Sequence, residues 1–336
     1  LINTLLVTAT LRTMGRSPRT VVGGTLLYAW NPLILLESSY SGHNDVFMVT
    51  FLLLGILLAA RAEHRSPIRL RGYVWPLIAF TCAALIKFIA FPMLVFFMLA
   101  LIFNGLRSQA GGRLQWRVGL SRGLWASLIA LGVGLIGYAP FWIGHGISEI
   151  SNSFSSQPSA QRNSNSLDAF IGAIKRIYGT PDVFNFLTQR TTWSVILVVV
   201  MACAFIGGAI SLWRERPATI RTVTLVTSLA LVAFIFVTPW FFAWYATWAA
   251  SLMIVCLPIV KRRGERVLLA FSLAYTLSVF AIYYFVAIGD FLDTTQPHND
   301  WFIHVCLITF GLPLIAAAFA YFMQIAPSAT HEKEIN

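Results

Sequence analysis

The feature that most constrains this chain is its succession of long apolar runs separated by short polar gaps. The runs occupy roughly 1–11, 20–36, 46–60, 74–103, 123–143, 191–213, 222–238, 241–259, 267–288 and 302–323. A helix needs about 20 predominantly apolar residues to cross a bilayer, and most of the runs come close to that length or pass it. Mean hydropathy over the 336 residues is +0.73. Charged residues make up 11% of the chain, against about 25% in a soluble domain. One anchor does not produce such values; most of the chain must sit in lipid. There each segment has to satisfy its own backbone hydrogen bonds, which selects helices. The predicted fold is therefore all-α, a polytopic transmembrane helical bundle over 1–326 with a short polar tail at 327–336.

Charge in the gaps sets the sidedness. Arg12, Arg16 and Arg19 fill the first gap, and Arg61, Arg65, Arg69 and Arg71 another. Arg107, Arg113, Arg117 and Arg122 fill 104–122, three Arg fill 214–221, and Lys261, Arg262, Arg263 and Arg266 fill 261–266. The gaps 37–45 (ESSYSGHND) and 289–301 carry acids and no Lys or Arg. The positive-inside rule assigns the basic gaps, and the tail, to the cytoplasm and the acidic gaps to the outside of the cell membrane. The net charge of +11 thus belongs to cytoplasmic loops, and no nucleic-acid partner is expected. Both flanks of 74–103 are basic, which one crossing does not allow. A hairpin turning near Lys87 restores the parity and carries that cation to the outer face; a single tilted helix with a snorkelling lysine is the alternative. The hairpin brings the expectation to about eleven membrane segments, the first incomplete. The chain opens at Leu1 with LINTLLVTATLR, with no Met and no signal-peptide n-region, so truncation at the N-terminus is expected. Residues 145–190 form a long outer loop, rich in Ser, Asn and Gln, whose stretch 167–187 has the spacing of an interfacial amphipathic helix.

Several function classes drop out. There is no GxxxxGK[ST] phosphate loop and no dinucleotide fingerprint, which removes an internally fuelled pump. Cys82, Cys203, Cys256 and Cys306 lie inside apolar runs at no metal or disulfide spacing and read as small buried hydrophobes. No cofactor is called for and no metal site is assigned, although outer carboxylates are able to bind a divalent ion.

The unusual polar residues gather at the outer face. In NPLILLESSYSGHND, Asn31 and Pro32 break the helix early, and Glu37, His43, Asn44 and Asp45 follow, these four within nine residues. Asp45 has two readings, a helix N-cap or a functional carboxylate; Glu37 is either solvated or functional. Lys87, between Ile86 and Phe88, suits an anionic head group such as a lipid phosphate. In TPWFFAWYATW (238–248), Trp240, Trp244, Tyr245 and Trp248 read either as an interfacial belt or as a wall for a sugar ring or an isoprenoid tail. The loop GDFLDTTQPHND, with Asp290, Asp293, His298 and Asp300, reads as solvated.

These blocks carry a resemblance. WNPLILLESSYSGHNDVFM, AALIKFIAF at 83–91 and TPWFFAWYATW, in that order over residues 30–248, are similar to blocks of the bacterial polyprenol-phosphate-mannose-dependent mannosyltransferases of the GT-C class, related to α-1,6-mannosyltransferases. The resemblance implies a GT-C-like bundle with its site on the extracytoplasmic face. It also implies transfer of a hexose, mannose first, from a polyprenyl-phosphate-linked sugar to a glycan or glycolipid acceptor, with inversion. In that class the catalytic Asp usually sits in the first outer loop, which places the main base upstream of Leu1; Asp45 and Glu37 are then the second choices. Lys87, His43 and Asn44 would face the donor phosphate, and the Trp/Tyr block the sugar or lipid. Two other classes stay open at this stage, a lipid-carrier ligase or flippase and a secondary transporter. A transporter places its charges at mid-depth along a through-path.

Overall fold

A computed structural model describes residues 1–64, 70–107, 113–142, 146, 148–149, 166–179, 185–187, 189–238, 241–256, 263–283 and 299–323. Among them every regular element is helical, so the chain is an all-α polytopic membrane protein. Among the described residues seven helices are long and apolar enough to cross a membrane. We number the helices α1 (Ile2–Thr13), α2 (Pro18–Ala29), α3 (Pro32–Leu35), α4 (Asp45–Glu63), α5 (Val74–Ile86), α6 (Phe91–Leu106) and α7 (Trp116–Trp142). There follow α8 (Leu167–Tyr178), α9 (Arg190–Arg214), α10 (Ile220–Val237), α11 (Ala246–Cys256), α12 (Arg263–Ser278), α13 (Asn299–Cys306) and α14 (Leu312–Phe322). The 327–336 tail and most of the serine-rich part of 145–190 lie outside the described residues. The expected amphipathic segment is present as α8, with Leu167 and Phe170 packed on the bundle.

The layering follows from hydropathy. The most apolar windows of α4, α6 and α10 are each 61% buried, whereas those of α7 and α9 are 6% and 11% buried. Helices α7 and α9 therefore present Leu124, Leu128 and Leu131, and Val195, Val198 and Ile206, outward. A water-facing surface does not carry apolar area on that scale; a hydrocarbon-facing one does. The short α11 is buried along its whole length, as a helix apolar all round must be, and it packs against α10, α12 and α2.

The 74–103 segment is a hairpin. Tyr73 and Phe80 both pack edge-on against Phe97, at 5.8 and 5.1 Å between ring centroids, so α6 runs back beside α5. The turn is Lys87, in extended backbone (φ −153°, ψ 118°), followed by one 3-10 turn at Phe88–Ala90. Helix α5 also packs along α4, and Gly55 of α4 lies flat against the Phe80 ring.

The described basic gaps meet at one end of the bundle. Arg221 pairs with Glu265 at 2.5 Å, and the Arg16 guanidinium is pushed down by burial and by the charge of Arg221. Glu63 accepts from the backbone N–H of Ile220 at 2.7 Å. The Asn104 amide closes a two-bond ring on the Ala218 backbone, donating to its C=O at 2.8 Å and accepting from its N–H at 2.9 Å. Asn104→Leu removes both bonds and leaves the Ala218 backbone groups unpaired, which costs about 1–3 kcal/mol for an unsatisfied buried group. We expect a lower midpoint of thermal unfolding in detergent with little effect at the opposite end of the bundle.

Candidate active site

At the end away from the basic gaps, local sequence builds a polar chamber piece by piece. Asn31 caps α3: its Oδ1 accepts from the backbone N–H groups of Leu33 and Ile34 at 3.1 and 3.2 Å, with Pro32 at the first helical position. Its amide donates to Thr276 Oγ1 at 2.9 Å, tying α3 to α12. After α3 the helix widens into a single π turn, Leu36–Tyr40, a feature frequent at functional sites. That turn carries Glu37, which is 2% exposed. Gly42 then takes φ +64°, the left-handed geometry glycine adopts without a Cβ clash, and sets His43 back over the π turn. Asn44 is the N-cap position of α4 but makes no side-chain capping bond and is exposed.

Asp45 is the first residue of α4 and does not act as its cap. Its carboxylate turns inward, where Lys87 Nζ donates to both oxygens at 2.8 and 2.9 Å and Trp248 Nε1 donates to Oδ1 at 2.6 Å. Asp45 is 3% exposed. The Lys87 ammonium also lies 5.2 Å from the Tyr245 ring centroid and 5.1 Å from that of Trp248, within cation–π range, and the two rings stack at 4.1 Å. Lys87 is thus a balanced cation held by one carboxylate and two rings. An ammonium has three protons; one remains after the Asp45 contacts.

Glu37 and His43 form a second group. The Tyr283 hydroxyl donates to Glu37 Oε1. Glu37 Oε2 is buried, accepts no hydrogen bond, and lies 3.4 Å from His43 Nε2. The His43 ring stacks on Trp244 at 3.8 Å, and Trp244 stacks on Phe242 at 4.4 Å. Glu37 and Asp45 both border one cavity of about 480 Å³, whose wall also includes Leu1, Asn3, Tyr28, Thr247 and Ser251.

Of the residues singled out from sequence, Glu37, His43, Asp45, Lys87, Trp244, Tyr245 and Trp248 come together here. Asn44 is adjacent but directs no side-chain cap bond into the group. The expected main base upstream of Leu1 lies outside the sequence; Leu1 itself lines the cavity that Glu37 and Asp45 border. Trp240 lies outside the described residues, as do Asp290, Asp293 and His298, while Asp300 falls in the first turn of α13. Among the described residues no three His, Cys, Asp or Glu side chains gather as a metal site. Sequence reading missed Tyr283 and Thr276. Both lie in apolar runs, and only the end-of-helix position of Tyr283, in a segment expected to finish at the outer face, hinted at it.

Fold and site together define a class: a polytopic helical membrane protein with a buried carboxylate, lysine and aromatic chamber at the end opposite its basic loops. A comparison with protein families narrows this. Residues 2–103 match the family described as Alpha-(1->6)-mannopyranosyltransferase, N-terminal domain. The match supports a glycosyltransferase activity; it spans less than a third of the chain and contains Glu37, His43, Asp45 and Lys87, while Trp244, Tyr245, Trp248 and Tyr283 lie beyond it. The searches of curated proteins and of solved structures returned no match.

Proposed function

We propose that this chain is an integral-membrane hexosyltransferase that moves a hexose, mannose first, from a polyprenyl-phosphate donor to a hydroxyl of an extracytoplasmic glycan or glycolipid, inverting the anomeric carbon. One observation carries the reading: three blocks far apart in sequence, 31–45, 87 and 244–248, close into one polar cluster beside the cavity that Glu37 and Asp45 border, two of them inside the mannosyltransferase match. The chemistry asked of the protein is modest. A phosphate departs as an anion and needs no strong acid, only a cationic donor to receive its charge; the third Lys87 proton supplies one. Asp45 holds that ammonium in place. Phe242, exposed and backed by Trp244, offers flat apolar surface for a sugar face, and a lipid tail stays in the bilayer beside the bundle. The positive-inside rule sets the basic end in the cytoplasm, so the chamber opens on the other face of the cell membrane. No nucleotide or resident cofactor enters the scheme. Asp45 heads α4 and does not sit at its middle, which is unlike the mid-depth sites of secondary transporters.

The test is transfer by the purified protein from radiolabelled polyprenyl-phosphate mannose, beside the glucose analogue, to an oligosaccharide acceptor. Labelled product from the mannose donor is expected. No product from either donor, or substrate accumulation by sealed vesicles in place of product, would overturn the proposal. Lys87→Ala removes a charge-assisted hydrogen bond worth about 1.5–3 kcal/mol; we expect the KM for donor to rise about 10–100-fold.

A further inference from the structure

Two tryptophans of the 244–248 block stand in the cluster, and their indoles are differently used. Trp244 is half-buried, stacks on both His43 and Phe242, and has no partner for its Nε1–H. Trp248 is 1% exposed, so it offers no open ring face to a sugar or a lipid chain. Its Nε1–H donates to Asp45 Oδ1 at 2.6 Å, the short length of a charge-assisted bond. Its ring stacks on Tyr245 and lies under the Lys87 ammonium, 5.1 Å from the centroid. Trp248 stands near the start of α11, which is buried along its whole length and packs against α2, α10 and α12. It therefore joins a fixed helix to Asp45 at the head of α4 and to Lys87 at the α5–α6 turn.

The geometry points to Trp248 as a positioning residue for the donor phosphate: its indole N–H fixes the plane of the Asp45 carboxylate, and that plane fixes where the Lys87 ammonium presents its remaining proton. This rests on the hexosyl-transfer reading above. A lysine ammonium is a point charge on a flexible stem with no fork geometry of its own. Its direction is set by what holds it, here the two Asp45 oxygens at 2.8 and 2.9 Å. An aspartate carboxylate turns easily about its last torsion, so the pair alone is free to swivel together. The indole, wedged in the core, stops that rotation by engaging Oδ1. The cation–π contact adds a second restraint, since it favours the ammonium over the ring face. Trp248 touches no substrate in this scheme; it acts through Asp45 and Lys87.

The test uses the purified full chain, polyprenyl-phosphate mannose and an oligosaccharide acceptor at fixed pH. Trp248→Phe keeps an aromatic ring and removes the N–H. A benzothiophene side chain introduced at position 248 removes the N–H alone, sulfur taking its place in a ring of the same shape, and serves where the phenylalanine variant does not insert. Each is expected to raise the KM for donor about 3–10-fold, the usual net worth of one hydrogen bond, and to leave the KM for acceptor unchanged. In the Lys87→Ala background neither change raises the donor KM further, because residues acting through one another are not additive. A wild-type donor KM in the benzothiophene variant overturns the assignment. So does an equal penalty with Lys87 present and absent, or a matching rise in the acceptor KM; both belong to a packing residue. Those results with an active wild type remove the role of Trp248 alone; an inactive wild type removes the hexosyl-transfer reading with it.

Discussion

Asp45→Asn is expected to reduce transfer about 10²–10³-fold, the loss typical when a group that organises transition-state charge is removed. The substitution keeps shape and takes away the charge that both holds Lys87 Nζ, at 2.8 and 2.9 Å, and accepts from Trp248. Breaking a buried pair by removing one partner costs about 3–5 kcal/mol. The cost here falls at or below the lower end, because the Lys87 side chain keeps 25% exposure and can reach water. Asp45→Asn/Lys87→Met removes both charges and should recover most of the stability, read as the thermal midpoint in detergent, without recovering transfer. A double variant that regains both would reduce the pair to a brace between α4 and the α5–α6 turn.

Gly55→Ala is expected to have the largest effect of any methyl-sized change in the described bundle. A Cβ at this position would sit 2.4, 2.6 and 2.9 Å from three atoms of the Phe80 ring. That ring is fully buried and backed by Phe97, so it has no empty space to move into. Overpacking of this kind costs about 1–3 kcal/mol. The consequence reaches the chamber, since α4 carries Asp45 and α5 ends at Lys87: displacing one helix against the other lengthens the ion pair. We expect a lower unfolding midpoint together with reduced turnover. A variant with the wild-type midpoint and wild-type turnover would show that α4 and α5 do not fix the pair.

What the sequence disclosed, and what it withheld, follows from the range of the signals. Hydropathy is a sum over many residues and marked out the helices. Loop charge pointed to the Lys87 hairpin, because two basic flanks around one apolar run leave few other topologies. The NPL and GHND residues marked themselves as polar groups where apolar ones were due. Pairing was another matter. Asp45 and Lys87 are 42 residues apart, and each read alone as a cap or base and as a phosphate cation; together they neutralise one another. Tyr283 lies 246 residues from Glu37 inside an apolar run, with no local feature that separates it from a packing tyrosine. Which oxygens of the two neighbouring carboxylates are already bonded is a property of the fold.

The proposed transfer requires that the chamber and the basic loops face opposite compartments. Cysteine labelling tests it most directly, with Ser41→Cys beside the chamber and Gly264→Cys in a basic gap, each placed in a chain whose four native cysteines have been replaced. In intact cells a membrane-impermeant maleimide should label position 41, and position 264 only after permeabilisation. Labelling of both positions from the same side would contradict the shared outer site on which the proposed transfer depends.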